Sequence, residues 1–285
     1  MGVRAAALEF ISITDGTGTR RELLRYPRRV VSLSPTITQT LSDLGLDDDL
    51  VGNRKGGAQA RGERVRGLVR PMTTKDTDLQ RVADLTPDLV LADLEHNRLE
   101  DLEKLGAKVP LFVVHVKTVE EAIANLETLG ILVDREEQAA SLVHEIRAEL
   151  AASKLWARGR ARVRAACLVS KDPYLAIPAQ SYVSDFMTLH GLDNVFPGKG
   201  DAPLPVELAD LVSASPAVLL LASDPYRFRP KHREEMLELG DVPACREGRV
   251  VLVDGAQVLS PGSRMRRAFA SMRELLDRLG AETEA

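Results

Sequence analysis

Aromatic side chains make up only 4% of this 285-residue chain, with one tryptophan among them, so few rings are on hand to hold a ligand. Cysteine is scarcer still. Cys167 and Cys245 stand far apart in apolar strand or strand-flanking surroundings, where small buried hydrophobes are expected. Excess positive charge is missing too: 38 Lys and Arg stand against 42 Asp and Glu, a net charge of -4. That balance excludes nucleic acid as a partner, because a phosphate backbone demands a concentrated basic face. No run approaches the roughly 18 apolar residues of a membrane span. The first residues, Met1 to Glu9, show neither a long apolar core nor a following small-residue cleavage site, so the chain as written reads as cytoplasmic. A chain with its leader removed would read the same way and would be periplasmic or an extracellular lipoprotein.

What is present is a core and a repeat. With 44% apolar and 28% charged residues the chain can bury two domains of ordinary size. One pattern is stated twice: an apolar strand, a helix, then Gly-Leu-Asp and a second glycine seven residues after the first. It occurs as Arg29 to Leu33, Gly45-Leu46-Asp47 and Gly52, and again as Val163 to Val169, Gly191-Leu192-Asp193 and Gly198. A second pair follows in the same order, Leu85-Thr86-Pro87-Asp88 to Ala92 against Ala214-Ser215-Pro216-Ala217 to Ala222. Two similar α/β halves of this kind usually face each other across a cleft.

Ahead of the first core strand, alternation over Leu8 to Thr14 runs into Asp15-Gly16-Thr17-Gly18 and predicts a hairpin over residues 8 to 26. Ser34-Pro35-Thr36 then caps and opens a helix that stops near Gly45. Arg54 to Asp76 has no clear period and reads as a long loop. Thr118 and Glu121 make a capping box. The helical pattern beyond it is interrupted near Gly130 to Asp134 and resumes as a stripe from Glu136 to Trp156, roughly 30 Å long. The second half continues with a strand over 163 to 169, helices over 181 to 190 and 205 to 213, a strand over 217 to 222, a helix over 230 to 239, a strand over 249 to 253 and a helix over 262 to 279.

The expected fold class is therefore α/β: two similar three-layer lobes with mainly parallel sheets, joined by a long rigid helix, with a ligand cleft between the lobes. The divisions fall at 1–118, a lobe with its leading hairpin; 119–158, the connecting helices; and 159–285, the second lobe. Ligands in parallel sheets lie beyond the carboxyl ends of the strands. In the first half that rule selects Ser34, Pro35, Thr36, Arg54, Lys55, Lys75 and Asn97. In the second it selects Tyr174, Tyr182, Tyr226, Arg227, Phe228 and His232, with Asp254, Ser263 and Arg264 near the end. The cations among them would draw an anion.

Catalytic constellations are largely missing: no nucleophile elbow, phosphate loop or dinucleotide fingerprint follows a strand. No enzyme is expected. The five histidines never fall at metal-ligand spacing; His96, His115 and His232 are the candidates for a group poised over a metal, while His144 and His190 read as structural. Trp156 reads as a packing anchor, and the arginines at 158, 160, 162 and 164 as a solvated face.

Taken in order, Arg29 to Gly52, Pro87 to Ala92, Gly106, Thr118 to Ala122 and the long central helix resemble the periplasmic metal-chelate binding proteins with a helical backbone, which serve ABC importers of cobalamin, haem and ferric siderophores. Tyr182-Val183-Ser184-Asp185, Asp224-Pro225-Tyr226 and Lys231-His232 look like its cobalamin-binding or helical-backbone metal receptor subgroup. The resemblance covers about residues 8 to 280. It implies reversible binding of one iron or cobalt chelate as ligand, no covalent cofactor, a monomer and an ABC-transporter permease as partner. Members that dock on an importer typically carry one glutamate on each lobe, and Gln80 and Ala209 occupy those places here, which weighs against docking by that route. With few rings against Arg54, Lys55, Lys75, Arg227 and Arg264, an anionic chelate such as a ferric siderophore is expected. The alternative on the same scaffold is an intracellular chelate carrier or a chelatase-like enzyme.

Overall fold

A computed structural model describes residues 9–53, 79–198 and 202–281. The loop read over Arg54 to Asp76 lies outside the described residues. Two compact units are distinguished: residues up to Val116 with Ala124–Val143, and Lys117–Ile123 with the residues from His144 onward.

The first unit opens with the expected hairpin, β1 (Phe10–Thr14) antiparallel to β2 (Arg20–Leu24). Asp15 ties its turn, accepting the backbone N–H groups of Thr17 (2.9 Å) and Thr19 (3.1 Å) and the Arg21 Nε at 2.8 Å. Burial alone would raise the Asp15 pKa, but these bonds outweigh it and hold the carboxyl below its ordinary range. The core sheet then forms from β3 (Val30–Ser32), β4 (Leu50–Asn53), β5 (Leu89–Asp93) and β6 (Leu111–Val114), all parallel, in the order β4-β3-β5-β6. Its strands are apolar without alternation because helices cover such sheets on both faces; every residue of β5 is buried. The helices of this unit are α1 (Pro35–Asp43), α2 (Leu79–Asp84) and α3 (Leu99–Gly106), and the next two, α4 (Val119–Leu132) and α5 (Glu136–Ala157), contribute residues to both units. Thr118 and Glu121 exchange the two bonds of the expected capping box, at 3.1 and 3.2 Å. The interruption read near Gly130 to Asp134 falls where expected: α4 continues through Gly130 to Leu132, and the break is at Asp134, whose φ is 57°. At 22 residues, α5 is about 33 Å long.

In the second unit β7 (Val163–Ser170), β9 (Leu192–Asn194), β11 (Val218–Ala222) and β12 (Val250–Val253) are parallel, and β8 (Tyr174–Ala176) and β10 (Leu204–Val206) add antiparallel strands beyond β7. Its helices are α6 (Tyr182–Leu189), α7 (Leu208–Ala214), α8 (Pro230–Leu237), α9 (Pro243–Arg246), α10 (Gly255–Val258) and α11 (Met265–Ala281). Trp156 anchors the end of α5 as expected: its indole N–H donates to Asp277 of α11 at 3.0 Å, and the Arg160 guanidinium covers its ring at 3.9 Å while pairing with the same carboxylate. Cys167 and Cys245 are buried free thiols, and burial pushes their pKa values up to about 12 and about 11, which keeps both unreactive. Among the described residues no helix is long and apolar enough to cross a membrane.

The sequence repeat is a structural repeat. The first helix after each first strand is serine-capped, Ser34 accepting the Ile37 N–H before α1 and Ser181 accepting the Ser184 N–H before α6, although β8 intervenes in the second unit. Each helix ends at a glycine in the left-handed region, Gly45 at φ 80° and Gly191 at 75°, and the next strand pairs parallel to the first. The second pair matches in a less common way. Thr86 and Ser215 carry φ values of 44° and 45°, each directly before a proline that disfavours continuing the helix. Gly45→Ala and Gly191→Ala are each expected to cost about 1 kcal/mol, read as a lowered midpoint in denaturant titration, because alanine tolerates this backbone region poorly.

Candidate functional site

In the first unit the chain runs outward from β3 to β4 on one side and from β5 to β6 on the other. The sheet order therefore reverses between β3 and β5, the place where parallel sheets open a crevice for ligands. Ser34 follows β3 and Asp93 ends β5. The Ser34 hydroxyl accepts the Ile37 N–H at 3.3 Å and hydrogen-bonds the Asp93 carboxylate. Asp93 is 8% exposed. It accepts the backbone N–H of His96 at 2.8 Å, and the His96 Nδ1 lies 3.0 and 2.9 Å from its two oxygens. Burial raises the Asp93 pKa, but the bonds from His96 and Ser34 and the charge of His96 more than offset it, so the carboxyl stays below its usual range. Asn97 latches the loop down, donating to the carbonyls of Leu33 (3.1 Å) and Asp93 (2.9 Å). Pro35 and Thr36 form the first turn of α1 and are half-buried.

Glu95 is exposed, and its carboxylate lies with those of Asp93 and the His96 ring so that one ligand atom from each falls within 4.8 Å of the others. His115 comes just after β6, where the hairpin turn presses on the backbone through a 2.6 Å bond from the Gly16 N–H to the Val113 carbonyl. Arg54, Lys55 and Lys75 lie outside the described residues.

The second unit reverses its order in the same way, between β7 and β11. The loops there are Lys171 to Pro173 and Asp224 to Arg229, and both contain a cis Asp-Pro bond. Tyr226, Phe228 and His232 form a three-ring cluster with centroids 4.8 to 5.8 Å apart. Phe228 and His232 are buried, Tyr226 is half-buried and Arg227 is exposed. Tyr174 packs against the same core, and burial lifts its phenol above the ordinary value. His232 Nδ1 accepts the Arg229 N–H at 3.0 Å, capping α8. The neutral ring then carries its proton on Nε2, 3.5 Å from the Tyr226 hydroxyl, and offers no lone pair to a metal.

Beyond β12, Asp254 is exposed and accepts the Gln257 side chain at 2.7 Å. Gly255 backs onto the Asp224 loop so closely that a β-carbon would stand 2.6 Å from the Asp224 nitrogen and oxygen. Ser263 is buried, and Arg264 donates to the Ala256 carbonyl at 3.3 Å. Tyr182 is not at these loops. It is 5% exposed in the first turn of α6, with its ring 6.4 Å from that of Phe186 in the core. Sequence reasoning passed over Asp93, although a carboxylate ending an apolar strand three residues before a histidine was the available signal.

Parallel sheets that reverse order under polar and aromatic loops define a ligand-binding protein of the α/β class. The chain belongs to the periplasmic binding protein family, whose sequence pattern matches residues 30–256. It is 28% identical over 194 residues to the vitamin B12-binding protein of Vibrio campbellii, covering 67% of this chain and 70% of the relative. Among solved structures it is similar to the periplasmic vitamin B12 binding protein BtuF of Vibrio cholerae, with a TM-score of 0.76 and 19% identity over 89% of this chain and 98% of that one. The periplasmic heme-binding protein RhuT from Roseiflexus sp. RS-1 is similar at a TM-score of 0.74 and 20% identity, over 88% of this chain and 98% of that one. The two structures carry the fold, α/β as expected. The family and its relatives are binding proteins and not enzymes.

Proposed function

We propose that the chain reversibly binds a cobalt corrinoid of the cobalamin type at the loops beyond its parallel strands, as the substrate-binding component of an ABC importer. The observation that carries this reading is the reversal in the second sheet, where the half-buried Tyr226 packs on the buried Phe228 and offers a ring to the broad apolar face of a corrinoid. Of the cations behind the expected anionic chelate, Arg54, Lys55 and Lys75 lie outside the described residues, Arg227 is exposed, and Arg264 donates to the Ala256 carbonyl. The naming of the Vibrio campbellii relative supports the same ligand.

Docking on a permease would have to use groups other than Gln80 and Ala209. Gln80 is held by Asp84 at 2.8 Å, and Asp210, beside Ala209, accepts the Glu207 N–H at 2.7 Å in capping α7. Tyr226→Ala is expected to weaken corrinoid binding about tenfold, near 1.4 kcal/mol, by removing the half-buried ring; calorimetry of wild type and variant checks it. Native mass spectrometry after exposure to equal amounts of cyanocobalamin, ferric haem and ferrichrome tests the ligand class. Retention of the corrinoid mass alone is expected, and retention of ferrichrome in its place would refute the assignment.

A further inference from the structure

The stretch from Lys154 to Arg164 holds five Lys and Arg and no Asp or Glu, in a chain whose net charge is -4. It runs from the last turn of α5 into β7, wholly within the second unit. The carboxylates that answer it come from elsewhere in that unit. Glu120 takes Lys154 at 3.5 Å and is shared with Arg147, Asp277 takes Arg160, and Asp193 takes Arg162. Both partners in each pair keep about half of their side-chain surface exposed, so the pairing is weak and open to exchange with another anion. Arg164 donates to the Ala214 carbonyl. Arg158 is exposed, with no ion-pair partner among the described residues.

Apolar surface lies among these cations. The last turns of α5 and α6 border a groove of about 480 Å3, lined by Lys154, Leu155, Ala157, Arg158, Thr188 and Leu189. Leu155 is 69% exposed there, and Trp156, the chain's one tryptophan, is half-buried next to it in sequence. The groove stands at the amino ends of β7 and β9, which begin at Val163 and Leu192, whereas ligands of parallel sheets lie beyond the carboxyl ends. The patch is thus separate from the loops assigned to the corrinoid and independent of that assignment.

We propose that this end of the second unit docks on an anionic lipid surface, with Leu155 entering the apolar layer and Lys154, Arg158 and Arg160 on the headgroup phosphates. An apolar side chain flanked by Lys and Arg suits an interface, because the long cationic stems keep their charge at the headgroups while the apolar group goes deeper. A protein partner fits less well. A specific protein interface buries about 800 Å2 on each side around an apolar core, and of the groove's residues only Leu155 is a large apolar side chain left mostly exposed. A lipid surface needs no such core, since it supplies phosphates wherever the cations stand.

The test uses Trp156 of the unmodified full chain as its own reporter. Purified protein is mixed at low salt with vesicles of phosphatidylethanolamine and phosphatidylglycerol, or of phosphatidylcholine alone, and co-sedimentation is measured. Binding to the phosphatidylglycerol vesicles, its reversal by added salt and its absence from the neutral vesicles are expected. Brominated acyl chains in the anionic vesicles should quench the Trp156 fluorescence. Arg158→Ala is expected to weaken partitioning about fivefold, and Leu155→Ser to lower both partitioning and quenching. Both side chains are exposed, so the unfolding midpoint should stay unchanged. No co-sedimentation with phosphatidylglycerol vesicles, equal binding to phosphatidylcholine, or binding that neither substitution weakens overturns the proposal. Binding to poly-glutamate in place of vesicles overturns it in favour of an acidic protein partner. A concentration-dependent dimer broken by Leu155→Ser, without vesicle binding, overturns it in favour of a contact between two copies of the chain.

Discussion

Phe186→Ala is expected to destabilise the second unit by about 3–5 kcal/mol. Phe186 has no exposed surface, and its ring lies 5.1 Å from that of Phe269 on α11 and 4.6 Å from that of His190. Truncation removes the ring's transfer free energy and leaves a cavity between two elements of fixed backbone, which cannot close around it. Urea unfolding should show a lower midpoint with an unchanged slope, since the surface exposed on unfolding is nearly the same. Phe186→Leu refills most of the space and should lose clearly less. Equal losses for the two substitutions would mean that the cluster is not packed as described.

Stability should also climb steeply between pH 4 and pH 6.5 because of His190. Burial against Phe186 and Phe269 depresses its pKa from 6.5 to about 4, and the bond from its Nδ1 to the Phe186 carbonyl only partly opposes this. In that window the unfolded chain binds a proton that the folded chain refuses, so stability is complete above pH 6.5 and falls as the pH drops towards 4. The largest swing is about 3 kcal/mol. Asp15 and Asp93 are also depressed, but from an ordinary value of 3.8, so their contributions disappear only at lower pH. His190→Leu should flatten the profile between pH 4 and 6.5, as measured by denaturant midpoints across a pH series. An unaltered slope would mean that another group refuses the proton.

The residues that made the fold legible are those whose local chemistry leaves little choice. Gly45 and Gly191 adopt a backbone region that costs other residues energy, Pro87 and Pro216 stop the helices before them, and the uninterrupted apolar run of β5 belongs in a covered parallel sheet. The strands β8, β9 and β10 escaped notice because three residues are too few to show alternation. The break near Gly130 to Asp134 was legible, but the packing role of Gly130 was not: α4 carries it past Ala139 of α5, whose β-carbon would lie 2.4 Å from one on the glycine. No single-sequence signal marks such a crossing.

The loop rule picked out Asn97 and Tyr226 because polar or aromatic residues just past apolar strands stand out, and both stand at loops that follow the strands. It also drew in Tyr182, which follows the capping Ser181 and turns into the core beside Phe186; residue type alone does not separate those placements. Asp93 was hidden by its apolar neighbours, and only the Ser34 and His96 contacts reveal its place.

The central claim is that the chain holds one cobalt corrinoid, and equilibrium dialysis of the purified chain against cyanocobalamin tests it most directly. The account predicts saturation at one corrinoid per chain, with weaker retention by Tyr226→Ala. Failure of the wild-type chain to retain any corrinoid, while it remains folded, would contradict it.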